Sequence, residues 1–90
     1  MLRHLSITVS GRVQGVYYRA STKEQADRLN IKGFVRNEKN GDVYIEAVGM
    51  EENLKDFIAW CKRGSARAKV DHVEWKELSL KNFSDFTIQR

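Results

Sequence analysis

Nine residues, Gly11-Arg12-Val13-Gln14-Gly15-Val16-Tyr17-Tyr18-Arg19, concentrate the anion-binding chemistry of the chain. The two glycines let the backbone bend sharply and let a ligand approach it closely. Successive N–H groups in such a bend form a concavity that suits an anion. A helix-like run follows, and the positive end of a helix strengthens the same preference. Arg19 stands in or just before the first turn of that helix, where its planar fork matches two oxygens of a phosphate. The segment holds no acid, histidine or cysteine. It fits neither G-x-x-x-x-G-K-[ST] nor G-x-G-x-x-G, so neither nucleotide-binding motif is supported. On these residues alone the loop is either an anion cradle or a plain strand–helix connector with solvent-exposed arginines.

Other reactive groups are sparse. Cys61 to Arg67 reads CKRGSAR, the Cys-x₅-Arg spacing of cysteine-dependent phosphatases. That loop should follow a strand and open a helix, whereas Cys61 falls on an apolar stripe near the end of a helix. A thiol buried there has its pKa raised, and the expectation is a core cysteine. His4 and His72 are far apart and lack further ligands at metal spacing, so both read as surface or strand-edge residues. Asp71 and Glu74 beside His72 read as a solvated strand face, and Trp60 and Trp75 as packing residues. One cysteine excludes an internal disulfide.

The elements that must position the loop follow from periodicity. Leu5, Ile7 and Val9 alternate with His4, Ser6 and Thr8, a half-buried strand. A helix begins between Tyr18 and Thr22; Ser21 with Glu24, or Thr22 with Gln25, has capping-box spacing. Tyr18, Ala26 and Leu29 share one of its faces, and Asn30 or Gly33 can end it. Phe34 and Val35 open a second strand, and Asn40-Gly41 is a hairpin turn into a third, built on Val43, Ile45 and Ala47. Met50, Leu54, Phe57, Ile58 and Cys61 form an i, i+4, i+7, i+8, i+11 stripe, the clearest helix in the chain. Glu51 and Glu52 open it, Lys62 and Arg63 close it, and Gly64 ends it. Val73 and Trp75 mark a fourth strand, Phe86 and Ile88 a short fifth. The order β-α-β-β-α-β predicts an α+β fold, a ferredoxin-like βαββαβ sandwich with two helices on one face of an antiparallel sheet.

With the elements placed, the loop resembles the first signature of the acylphosphatase family, G-x-V-Q-G-V-x-[FM]-R. Gly33, Phe34, Val35, Arg36, Asn37, Gly41, Val43 and Gly49 match the second, G-[FYW]-[AVC]-[KRQAM]-N-x₃-G-x-V-x₅-G, at the right spacings. The resemblance extends over nearly the whole chain, including Gly64-Ser65 and Phe83-Ser84-Asp85-Phe86. Tyr18 departs from the usual Phe or Met, and its hydroxyl needs a partner if buried. The resemblance implies hydrolysis of acyl phosphates to a carboxylate and inorganic phosphate, without metal or cofactor. It implies that Arg19 binds the phosphoryl oxygens and that Asn37 holds the attacking water. It also implies that the backbone amides of Val13, Gln14, Gly15, Val16, Tyr17, Tyr18 and Arg19 cradle the phosphate. On its own, Asn37 reads as a turn residue bonding its own backbone.

Such a reaction asks little of side chains. The leaving carboxylate has a pKa near 4, so it departs as an anion without a general acid. Positioning a water and stabilising charge on the phosphoryl oxygens is most of the task. Alkyl phosphate esters, with their poorer leaving groups, should be weak substrates. An RNA- or anion-binding module without catalysis is the alternative, because RNA-recognition domains share the element order and Lys32-Gly33-Phe34 matches a fragment of their motif. The motif's other aromatics are missing, and Tyr44 is the one outward aromatic on the central hairpin.

The bulk properties are consistent with one small enzyme. Ninety residues with 41% hydrophobic content are expected to make a single domain over residues 1–90. The net charge of +4 attracts anions, but acids are interspersed throughout. The first residues carry no apolar run fit for a signal peptide or a membrane span. The expectation is a cytoplasmic monomer acting on a small-molecule acyl phosphate, with no nucleic-acid or membrane partner.

Overall fold

The computed structural model describes all residues from Met1 to Arg90. Seven elements follow one another: β1 (Leu2–Arg12), α1 (Tyr18–Arg28), β2 (Lys32–Asn37), β3 (Val43–Met50), α2 (Glu51–Arg63), β4 (Lys69–Leu78) and β5 (Phe86–Ile88). The strands form one sheet in the order β4-β1-β3-β2-β5. Alternation along β1 and β3 puts Leu5, Ile7, Val9, Val43, Ile45 and Ala47 on one face, all buried. Ile7 pairs with Ile45 and Val9 with Val43, so the apolar rows coincide across the two central strands. Leu54, Phe57 and Cys61 of α2 and Tyr18, Thr22 and Ala26 of α1 complete the core.

This is the expected ferredoxin-like α+β plan, with one change. Four strands are antiparallel, but β5 joins β2 in parallel, so the sheet is mixed. The chain reaches that edge by passing residues 79–85 over the face opposite the helices, and it then enters beside β2 in the same direction.

Several local expectations are corrected. Neither capping box forms: α1 already starts at Tyr18, and no side chain caps it. Thr22 lies one turn inside, turned onto the sheet, and its hydroxyl donates to the Tyr18 carbonyl at 2.7 Å. Asn30, at φ 56°, makes the left-handed exit from α1, whereas Gly33 belongs to β2. A Cβ on Gly33 would overlap the Glu46 carbonyl across the β2–β3 ladder. Met50 precedes α2 rather than joining its stripe and is exposed. Trp75 is half-exposed because β4 is an edge strand.

His4 is the largest departure. It is buried, not at the surface. Its Nδ1 donates to the Ser79 carbonyl at 2.7 Å, and its Nε2 lies 2.9 Å from Glu46 Oε1. The Tyr44 hydroxyl donates to the other Glu46 oxygen at 2.8 Å, and burial leads the causes that push that hydroxyl up to about 12. Phe83 packs edge-on against His4 and Phe34, and Arg36 lies 4.8 Å above the Tyr44 ring. The aromatics that an RNA-binding sheet would offer to bases are thus occupied with one another.

The core sets the stability. Phe57 is fully buried and meets Phe86 edge-on. Phe57→Ala is expected to lower unfolding free energy by about 3–5 kcal/mol. Urea unfolding reads this as a lower midpoint at unchanged slope; a shift below about 1 kcal/mol would mean that the core closes around the gap.

Candidate active site

The loop between β1 and α1 folds as a chain of exposed amides. Gly15 adopts φ 74° and Tyr17 φ 61°, so the backbone turns left-handed twice before entering α1. Left-handed Tyr17 is a conformation that a non-glycine residue holds only when its surroundings require it. None of the backbone N–H groups of residues 13 to 20 donates a hydrogen bond within the protein. The first turn of α1 contains no acidic residue, whereas that of α2 carries Glu51 and Glu52. The positive end of α1 therefore stands uncompensated, next to a run of free donors.

Six of the eight residues from 13 to 20 line a pocket of ≈ 380 Å³, within the size range of small-ligand sites. Val13, Gly15 and Tyr17 line it from the loop, and Tyr18, Arg19 and Ala20 from the first turn of α1. Asn37 reaches it from the end of β2, Arg67 from the turn after α2, and Ile88 from β5. Arg19 is held by donating Nη1–H to the Gln89 carbonyl at 2.9 Å. Gln89 in turn donates its N–H to Val35, which continues β5 along β2. One side of the Arg19 fork is anchored, and its other N–H groups remain free. Asn37 pairs with Val43 at the end of the hairpin, and its Oδ1 is buried without a donor from the protein.

Arg19 and Asn37, expected from sequence as the two key side chains, are thus brought together. Of the expected cradle, Val13, Gly15, Tyr17 and Tyr18 line the pocket, but Gln14 and Val16 do not. Val16 is buried in the core, and its carbonyl accepts from the Ser65 hydroxyl at 2.8 Å. The Gln14 side chain crosses to the β2–β3 hairpin, where Nε2 donates to the carbonyls of Glu38 and Asp42 at 2.8 and 2.9 Å. It ties the glycine loop to the strand end that carries Asn37. The Tyr18 hydroxyl finds the partner its burial demands by donating to the Cys61 carbonyl at 2.8 Å. Burial pushes the Cys61 thiol up to about 12. A thiol so protonated is no nucleophile at neutral pH, which removes the cysteine-phosphatase reading.

Arg67 and Ile88 were not legible as pocket residues. Both arrive from segments distant in sequence, and no local pattern marks them. In sequence Arg67 belongs to the Cys-x₅-Arg spacing; in the fold it lines the pocket with the glycine loop.

Comparison with known proteins bears directly on this geometry. Residues 5–88 match the family model described as Acylphosphatase. An acylphosphatase of Marinobacter nauticus is 48% identical over 89% of this chain and 88% of its own length. One from Coxiella burnetii is 35% identical over 94% and 90%. The crystal structure of acylphosphatase from Bacillus subtilis superposes with a TM-score of 0.95 at 37% identity, covering all of both chains. An uncompensated helix end, a run of free amides and an arginine around one pocket are what binding a phosphoryl group requires, and the chain belongs to the acylphosphatase family, enzymes that hydrolyse acyl phosphates and need no metal.

Proposed function

We propose that Arg19 and the amides of the 13–19 loop bind the phosphoryl group while Asn37 orients the attacking water. The observation that carries this reading is that Arg19, Asn37 and the loop residues Val13, Gly15, Tyr17 and Tyr18, whose N–H groups are unpaired, line one pocket. The free N–H groups and the Arg19 fork donate to the phosphoryl oxygens, where charge is spread in the transition state. They are fixed before substrate arrives, so little reorganisation accompanies the reaction. The Asn37 Oδ1 needs a donor, and the O–H of a water beside the phosphorus supplies one. Asparagine takes no proton near neutral pH, so the water's proton passes to a phosphoryl oxygen or to solvent. The P–O bond to the acyl oxygen breaks as the new P–O bond forms, and the carboxylate leaves as an anion. No acid lines the pocket, and this leaving group calls for none. We place the protein in the cytoplasm as a monomer acting on a small molecule, with no nucleic-acid partner.

Hydrolysis of benzoyl phosphate with EDTA present tests the assignment. The parent should be active, and Arg19→Ala and Asn37→Ala should each lower kcat by about 10²–10³-fold, the size of losing one preorganised donor. Parent-like turnover by Asn37→Ala would rule out its water-orienting role. The parent should hydrolyse p-nitrophenyl phosphate weakly or not at all. Gln14→Ala unties the loop from the hairpin without touching the pocket. It should lower kcat by about 10–100-fold through misplaced Asn37, while inorganic phosphate inhibits with nearly the parental constant. An unchanged kcat would show that the strand pairing alone positions Asn37.

A further inference from the structure

Arg67 is left unused by the proposed chemistry. It stands in the turn after α2, closed by Ala68 N–H donating to the Ser65 carbonyl at 3.0 Å. That turn is pinned to the glycine loop by the Ser65–Val16 hydrogen bond. Gly64 seats it against α1, since a Cβ there would come within 3.0 Å of the Tyr18 ring. The Arg67 backbone is therefore fixed relative to the phosphate loop. Its side chain is exposed and lines the pocket. Arg19 donates to the Gln89 carbonyl, whereas Arg67, like Arg12, Arg63 and Arg90 but alone among them in lining the pocket, has no partner within the chain. The pocket lining offers no carboxylate to neutralise it.

The two arginines occupy different depths. Arg19 is partly buried beside the free amides; Arg67 lies at the exposed rim. A phosphoryl group taken by the amides and Arg19 directs its acyl substituent outward, toward Arg67 and the exposed side chains of Tyr17 and Ile88. Tyr17 and Ile88 can cover an apolar acyl chain but offer no charge. An unpaired guanidinium there matches a carboxylate, whose two oxygens its fork can grip. The geometry points to Arg67 as a specificity residue that favours acyl phosphates whose acyl group carries a second, free carboxylate, that is, monophosphates of dicarboxylic acids. This rests on the phosphoryl placement given under Proposed function.

The test compares benzoyl phosphate with 4-carboxybenzoyl phosphate at low ionic strength, using the parent, Arg67→Gln, Arg67→Lys and Arg67→Glu. Each ratio of kcat/KM values is read against that of Arg67→Gln, which cancels the intrinsic reactivity of the two substrates. An exposed ion pair predicts a parental preference of about fivefold for the carboxylated substrate. Arg67→Lys should retain most of it, Arg67→Glu should reverse it, and 0.5 M salt should erase it, with a Debye length of only about 4 Å. Equal ratios in parent and Arg67→Gln would overturn the proposal. So would an equal fall in kcat/KM for both substrates in Arg67→Gln, which would assign Arg67 to the phosphoryl group. Calorimetric affinities for benzoylphosphonate and 4-carboxybenzoylphosphonate, which cannot be hydrolysed at the P–O bond they lack, give the same ratio without turnover. A parent that binds the carboxylated phosphonate preferentially yet hydrolyses neither substrate would sink the catalytic assignment and leave the Arg67 inference standing. Equal affinities would sink the inference alone.

Discussion

Val43 lies between Val9 of β1 and Asn37 of β2, and this three-strand row positions the site. Adjacent strands sit about 4.8 Å apart, so the row holds Asn37 roughly two strand spacings from β1. Val13, where the glycine loop begins, follows Val9 by four residues. The row itself is held by its apolar side chains, because Val9 and Val43 are fully buried against the helices. Slipping either pairing by one residue would turn those valines to solvent and send Asn37 to the other face. The Gln14 side chain adds a second tie at the same end of the sheet.

Charge is distributed so that the pocket stays positive. The ion pairs lie elsewhere: Arg3 with Glu51 and Glu77, Lys23 with Asp27, Arg36 with Glu38. These pairs are partly exposed and contribute little each. None of the acids in these pairs lines the pocket. Arg19 and Lys23, one turn apart on α1, both donate to backbone carbonyls of the last strand segment, at Gln89 and Phe86. The parallel edge strand is thereby held against the same helix whose first turn lines the pocket. The end of the chain and the pocket arginine Arg19 share one set of contacts.

Buried polar groups are satisfied one by one. Tyr18 reaches the Cys61 carbonyl, Thr22 the carbonyl one turn back, and His4 the Ser79 carbonyl and Glu46. Each link costs little to keep and much to break, since a buried orphan loses its whole solvation. The exception is the Asn37 Oδ1 at the pocket. This one unmet side-chain acceptor lies at the pocket, where a donor from outside the protein can reach it.

Much was legible in the residues themselves. Alternation in Leu5-Ile7-Val9 and Val43-Ile45-Ala47, and the stripe through Leu54, Phe57 and Cys61, are local patterns of period 2 and 3.6, so strands and helices followed from them. The glycine loop with Arg19 showed backbone freedom beside a forked cation, which suits an anion cradle or a plain connector alike; Asn37 stood out only through the match to the second acylphosphatase signature, since on its own it reads as a turn residue. Tertiary structure decided what depends on distant partners. His4 is buried because Ser79 and Glu46 meet its ring, not because of its neighbours in β1. α1 needs no capping box because its free N–H groups face the pocket. β5 runs parallel because the chain crosses the sheet before it returns. Arg67 and Ile88 join Arg19 because segments far apart in sequence close around one loop. Local patterns record which face a residue turns to the core; only the folded chain decides which distant groups meet there, because those meetings depend on strand order and loop path.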